Sequence, residues 1–98
     1  MAEHPGIVFK DGPSGRRAAL AFGPDVWEVV TFLRQVEERG DEAIAAAAEV
    51  FALPEPRVRS ALHYYAAYPG EIDAEVDQAE AESALAEAAW EAERRLLA

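Results

Sequence analysis

Apolar and polar residues change their spacing along the chain, and each change marks a new kind of element. Near the N-terminus, the short apolar runs in "GIVFK" and "RRAALAF" flank the turn-forming stretch "DGPSG". Short apolar runs around a turn of this composition predict a β-hairpin, here over about residues 6–22. Because an isolated two-stranded ribbon is marginal in water, we expect it to pack on helices or to pair with a second chain.

Helical spacing follows in the stretch "GPDVWEVVTFLRQVEERGD", which predicts a first helix. Its apolar stripe consists of Val26, Val29, Val30, Leu33 and Val36. Asp25 suits the N-cap, Glu28 suits the third position of a capping box, and Gly40 suits the C-terminal stop. Trp27 and Phe32 lie off the stripe, which indicates an interface and most simply a homodimer.

Two further helices are predicted around the turn "LPEP", one capped by Asp41 and one over about residues 56–67. The spacing of Ala48, Ala52 and Val58 is typical of a helix-turn-helix, in which small residues let two helices cross closely around a branched apolar residue. Leu62 and Tyr65 are expected to continue the buried face of the later helix.

The face opposite that stripe is basic and polar. Arg59, Ser60 and His63 lie on it, with Arg57 near the helix start. These are side chains that a recognition helix offers to the DNA major groove. Arg16 and Arg17 on the hairpin are either ordinary surface residues or additional contacts to the DNA backbone. A plain helical hairpin with solvated arginines is the alternative interpretation of the same pattern.

Beyond residue 70 the composition becomes rich in Ala and Glu, with few large apolar residues. Residues 71–98 hold nine acids and two arginines, a net charge of −7, against −3 for residues 1–70. This helical tail either completes the bundle as a fourth helix or stays loose until a basic partner orders it. The second interpretation predicts that deleting residues 71–98 leaves the melting temperature nearly unchanged.

The overall composition limits the kinds of protein that this chain could be. The 98 residues carry a net charge of −10 and no cysteine, and no run approaches the ~18 apolar residues of a membrane span. We therefore expect a soluble cytoplasmic protein with one small domain and an appendage. His4 and His63 lie far apart, and metal-ligand spacings and a Gly-rich phosphate loop are missing, so we expect no enzyme, no cofactor and no small-molecule substrate.

Three stretches, "GRRAAL", "GPDVWEVV" and "HYYAAYPGEID", resemble the small antitoxins of the domain-of-unknown-function 433 family. These are VapB-like partners of PIN-like ribonuclease toxins, and the resemblance covers about residues 5–76. It implies a type II toxin-antitoxin system. In such a system a helix-turn-helix binds operator DNA and represses its own operon, while a C-terminal extension neutralises the toxin.

The resemblance and the charge split together imply two functional parts. Residues 1–70 are expected to form the hairpin and helix-turn-helix domain for DNA binding and dimerisation, and residues 71–98 the toxin-binding tail. The expected anchors of the tail are Ile72, Val76, Leu85 and Trp90, with Arg94 and Arg95 available to pair with carboxylates of the toxin. The alternative is a small helical adaptor that binds a partner protein without binding DNA.

Overall fold

The computed structural model of the chain describes residues 4–12 and 15–98. Within them the chain forms an antiparallel hairpin followed by four helices: β1 (Ile7–Gly12), β2 (Gly15–Leu20), α1 (Val26–Gln35), α2 (Asp41–Phe51), α3 (Glu55–Ala67) and α4 (Pro69–Leu97). The predicted fold class, mainly helical with an N-terminal hairpin, is confirmed. Pro13 and Ser14 of the predicted turn and the first three residues lie outside the described ranges.

The hairpin packs on the helices of its own chain. Ile7 pairs with Leu20 at one end of the ribbon and Gly12 with Gly15 at the other. Ile7, Ala18 and Leu20 are buried in the core, and β2 contacts both α1 and α3. Burial against the helices supplies the stabilisation that a two-stranded ribbon lacks alone.

Helix α1 begins as predicted and ends earlier. The backbone N–H of Asp25 donates to Glu28 Oε1 at 3.1 Å, which is one half of a capping box. Val36 is already extended, with ψ of 145°, so α1 ends five residues before Gly40. Residues 37–39 are exposed, and another helical turn there would bury nothing. The predicted stop at Gly40 is therefore wrong: Gly40 is the N-cap of α2, and Asp41 is the first residue of that helix.

The turn between α2 and α3 forms at Ala52, as the spacing predicts. Ala52 adopts φ of 54°, its N–H contacts Glu49 O, and the N–H of Leu53 donates to Ala48 O at 2.9 Å. These two hydrogen bonds define a Schellman turn, in which glycine is the usual residue at the left-handed position. Helix α3 then begins at Glu55, one residue before the predicted start.

Residues of α1, α2, α3, α4 and the hairpin form one core. Its members on α3 are Val58, Ala61 and Tyr64. Leu62 and Tyr65, which the stripe places in the core, are only partly buried. The hairpin and the N-terminal segment explain the difference, because Phe9 and His4 cover the ring of Tyr64 from its side of the helix.

Trp27 and Phe32 are packed rather than presented to a second chain. Both are partly buried against the core. The Phe32 ring meets the Phe51 ring edge-to-face at 5.8 Å, and Trp27 Nε1 donates to Asp25 Oδ2 at 3.1 Å. Their position off the main stripe is therefore explained within the chain, because α2 and the hairpin reach those faces of α1.

Helix α4 is one continuous element with two environments. Its first turns pack against α1 and α3, and from Glu80 onward every residue is exposed. The molecule is consequently elongated, 52 Å in its longest dimension. Within residues 4–12 and 15–98, no helix combines the length and the apolar content that crossing a bilayer requires.

Candidate functional site

The basic face of α3, defined by Arg59, Ser60 and His63 with Arg57 near the helix start, is only partly available. Arg59 and His63 are exposed and lie one helical turn apart. Arg59 Nη2 donates to Asp41 Oδ1 at 3.1 Å, and nothing in the described ranges pairs with His63. An exposed ion pair of this kind contributes only about 0.2–1 kcal/mol, so an incoming phosphate can displace Asp41.

Arg57 and Ser60 make contacts within the body of the protein. Arg57 is half-buried and its Nη2 donates to the carbonyl oxygen of Ala21, in the loop between β2 and α1. Ser60 Oγ donates to Pro56 O at 3.1 Å in its own helix. Arg57 therefore ties the start of α3 to that loop, and it has donors left for a ligand because a guanidinium carries five N–H groups.

The two arginines of the hairpin have different surroundings. The Arg16 guanidinium lies over the Phe9 ring at 4.1 Å and is exposed. Arg17 Nε donates to Asp25 Oδ2 at 2.6 Å, and this hydrogen bond and charge raise the pKa of Arg17. Lys10 Nζ lies 3.6 Å from the other oxygen of Asp25. Arg17 and Lys10 thus hold the buried N-cap carboxylate of α1, while Arg16 remains at the surface.

A groove of about 560 Å³ opens between the hairpin, the start of α1 and α4. Asp25 and Trp27 line one side, and Glu75 of α4 lines the other. Both carboxylate oxygens of Glu75 are buried and accept no hydrogen bond from any described residue. Burial, followed by repulsion from Glu71 and Asp25, raises the pKa of Glu75, and the nearby Arg17 opposes that shift.

Polar contacts fasten the first turns of α4 to the body. Asp73 Oδ1 accepts from the Arg34 guanidinium and, at 2.9 Å, from Tyr65 Oη. Tyr64 Oη donates to Glu71 at 3.1 Å, and burial together with that carboxylate raises the pKa of Tyr64. Asp73 and Glu71, which the composition assigns to a loose tail, therefore help to hold α4 against the body.

Two of the four expected anchors belong to the core. Ile72 and Val76 are 0% and 1% exposed, packed beneath α1 and α3, so neither is available to a partner while the domain is folded. The sequence boundary after Gly70 consequently falls inside a packed helix. The other two anchors, Leu85 and Trp90, are 72% and 55% exposed.

The free end of α4, residues 80–98, carries an uncovered apolar surface. Trp90 follows Ile72 by eighteen residues, about five full turns, and therefore continues the face that is buried farther up the helix. Leu97 lies on the same face and is 84% exposed. Leu85 and Leu96 lie together on another side, about 120–140° around the helix from Ile72, so the free end has two apolar ridges.

Arg94 and Arg95 lie in the last turn of α4, where cations complement the helix dipole. Arg94 stacks on the Trp90 ring at 4.7 Å, and both arginines belong to the exposed end. Leu96 and Leu97 were not among the expected site residues, although two adjacent leucines at the end of a polar helix are a recognisable signal. The arginines and the apolar ridges together offer a partner both charge and area.

The charge of the tail is divided between its two environments. Residues 71–79 hold four acids and no base, a net of −4, whereas residues 80–98 hold five acids and two arginines, a net of −3. The available end is thus less acidic than the whole tail, and its apolar side chains matter correspondingly more. Within the described residues, no three His, Asp or Glu side chains form a cluster that could hold a metal ion.

Comparison with known proteins returns no match to a family model, to a curated protein or to a solved structure. The resemblance to VapB-like antitoxins therefore rests only on the sequence stretches quoted above.

Proposed function

We propose that this chain is a two-part regulator of the VapB-like antitoxin type. In this proposal the helix-turn-helix of α2 and α3 binds operator DNA, and the free end of α4 binds and neutralises a PIN-like ribonuclease. The observation that carries it is the free end itself. A folded domain continues its own core stripe to Trp90 and Leu97, which stay 55% and 84% exposed, and large exposed apolar surfaces mark interaction sites.

The partner fits the free end in both charge and shape. A ribonuclease must bind RNA, so it requires a basic groove, and an acidic helix of net charge −3 complements such a groove. Trp90 supplies the kind of aromatic anchor that dominates interface energy, and Leu97 extends the same face. This is helix-in-groove recognition, in which one apolar face is laid into the partner.

DNA binding is supported by the exposed pair Arg59 and His63 on the second helix of the motif. A repressor dimer would place two such helices on two half-sites, and a homodimer remains part of the proposal. Trp27 and Phe32 no longer support dimerisation, because both are packed within the chain. Light scattering on the isolated protein at micromolar concentration is the direct measurement of this state.

The DNA-binding half is tested by titrating the full chain against duplex DNA from upstream of its own gene. Arg59→Ala should weaken binding by about 1–3 kcal/mol if Arg59 reads a base in bidentate fashion. Asp41→Asn is the informative counterpart, because it releases Arg59 from its ion pair and should tighten binding. Arg95→Ala, on the free end, is the matched loss of one cation and should leave affinity unchanged.

The partner-binding half is tested with a PIN-like ribonuclease encoded in the neighbouring reading frame. Trp90→Ala should lower inhibition of its RNase activity more than Glu91→Ala does, because an aromatic anchor carries more interface energy than one solvated acid. Equal inhibition by the two variants, or full inhibition by a chain lacking residues 81–98, would contradict the assignment.

A helical adaptor that does not bind DNA is the second candidate, and a specific observation favours it. Arg57 and Arg59 already have partners within the chain, Ala21 O and Asp41. Absence of any gel shift, together with intact ribonuclease inhibition, would select the adaptor over the repressor.

A further inference from the structure

Phe22, in the loop between β2 and α1, is an aromatic side chain that the fold does not use. It is 106% exposed, so its ring packs against nothing in the described residues. Its φ of +56° lies in the left-handed region, which bulky residues rarely adopt. Such a conformation is strained for a bulky residue and persists where the surrounding structure enforces it, often at a functional site.

The surrounding loop fixes the position of Phe22. The N–H of Gly23 donates to Leu20 O at 2.9 Å, and the N–H of Leu20 donates to Pro24 O at 2.9 Å. The N–H of Ala21 donates to Gly6 O at 2.8 Å, which ties the loop to the strand entry. The backbone at Phe22 is therefore held by a tight, hydrogen-bonded turn that leaves the ring in solvent.

Two cations bond to the backbone on either side of Phe22. Arg57 Nη2 donates to the carbonyl oxygen of Ala21, and Lys10 Nζ donates to that of Gly23 at 3.2 Å. The residues immediately before and after Phe22 thus each hold a positive side chain. Arg57 has further N–H donors, and Lys10, whose ammonium also lies 3.6 Å from Asp25 Oδ1, has a third N–H beyond these two contacts. Aromatic rings accompanied by such cations are how many proteins engage nucleic acid, with the ring against bases and the cations on phosphates.

The position along the fold favours DNA over a protein partner. Arg57 is near the N-terminal end of α3, and that end of a recognition helix lies against the DNA. We propose that Phe22 inserts as an apolar wedge at a base step of the duplex that α3 contacts, with Arg57 and Lys10 on the adjacent phosphates. This inference rests on the proposed DNA binding and adds a contact outside the helix-turn-helix.

The test uses the full chain and a duplex from upstream of its gene, labelled with 2-aminopurine at successive positions. Unstacking by the wedge should raise the fluorescence at one step. Phe22→Gly should abolish that signal and weaken binding about 5- to 150-fold, the range of one base–aromatic contact. The slope of affinity against salt should stay the same, because no charge is removed.

Glycine suits this experiment because it adopts a positive φ without strain. Phe22→Gly should therefore melt at the same temperature as the parent chain or slightly higher, although it binds DNA more weakly. Val8→Ala removes an exposed apolar side chain from β1 and should bind DNA as the parent does. A loss of stability equal to the loss of affinity would overturn the inference.

The outcomes separate the wedge from DNA binding in general. Unchanged affinity and fluorescence for Phe22→Gly would overturn the wedge and leave DNA binding by α3 in place. Absence of any binding by the parent chain would overturn both. If Phe22→Gly binds DNA normally but lowers the mass seen by light scattering, the ring is a contact between protein chains and the wedge is refuted.

Discussion

Ile72 and Trp90 lie on one face of one helix, yet the first is fully buried and the second is 55% exposed. The two halves of α4 therefore share a backbone and a stripe but not an environment. The half up to Ala79 is held by core packing and by Asp73 and Glu71, whereas nothing in the described chain covers the free end. One helix thus serves the fold with its first turns and presents a surface with its last ones.

This division has a consequence for how a partner would be held. Because α4 is continuous from Pro69 to Leu97, a protein bound at Trp90 is connected to the body by a helix rather than by a flexible linker. A helix rises about 1.5 Å per residue, so the free end extends roughly 25–30 Å from the body. The position of a bound ribonuclease relative to α3 would then be fixed, and the two proposed activities would be mechanically coupled.

Truncation gives the largest expected effect. Removing residues 71–98 takes Ile72 and Val76 out of the core, at about 1.5–3 kcal/mol for each buried side chain, and should abolish cooperative unfolding of a domain this small. Removing residues 81–98 should leave the melting temperature nearly unchanged. Circular dichroism during thermal unfolding of both chains measures this directly.

Charge alone predicts that all residues after Gly70 can be removed without loss of stability. The packed half of α4 moves the boundary to about residue 80. If both truncated chains unfold alike, whether stable or not, the two halves of α4 do not differ as their burial implies.

Single substitutions on the shared face of α4 should also differ in effect between its packed half and its free end. Ile72→Ala leaves a cavity in the core and should cost about 2–5 kcal/mol of unfolding free energy. Leu97→Ala, on the same face in the free end, should change it by less than about 0.5 kcal/mol. Urea unfolding followed by far-ultraviolet dichroism gives both values, and comparable shifts in the two midpoints would mean that the free end is also packed.

Much of the fold can be predicted from the local sequence pattern. The hairpin, the capping residues Asp25 and Glu28, and the turn at Ala52 each have a chemical cause within a few neighbouring residues, and each prediction is confirmed. The mistaken end of α1 at Gly40 has a local cause too. A glycine suits a helix end and a helix start alike when it adopts a positive φ, and sequence does not distinguish the two.

The candidate sites depend on contacts between residues far apart in sequence, so they are harder to predict from local pattern. The stripe through Ile72 and Val76 continues to Trp90 and Leu97, so periodicity cannot say where the body stops covering it. The choice of Tyr64 over Tyr65 for the core depends on where the hairpin and the N-terminal segment lie. The bond from Arg57 to Ala21 joins residues 36 positions apart, which spacing along a helix cannot reveal.

A smaller effect is expected from the polar contacts of the packed half. Asp73→Ala removes the ion pair with Arg34 and the acceptor of Tyr65 Oη, and both charged side chains are nearly half exposed. Pairs in such surroundings contribute about 0.2–1 kcal/mol and weaken with salt. Asp73→Ala should therefore lower stability within that range at low salt and by less at 1 M sodium chloride. Glu91→Ala, in the free end, is the control. If it lowers stability as much as Asp73→Ala does, the contacts of Asp73 do not stabilise the packed half.

The smallest effect concerns Glu75, whose raised pKa implies a pH-dependent cost of folding. A carboxyl with a raised folded pKa binds its proton more tightly in the folded state than in the unfolded state. The cost of holding it ionised is therefore fully present above the folded pKa. It is relieved as the pH falls through that pKa toward the ordinary value of 4.5.

Glu75→Gln should remove this cost while keeping the shape of the side chain. We expect the variant to melt higher than the parent at pH 8 and to lose that advantage by about pH 4, where Glu75 itself is protonated. The nearby Arg17, which favours the charged form, limits the gain. Glu87→Gln removes one acid from the free end and should leave the melting temperature unchanged at both pH values. If Glu75→Gln is less stable than the parent at pH 8, then the attraction of Arg17 outweighs burial, and the packed half of α4 is held partly by that charge pair.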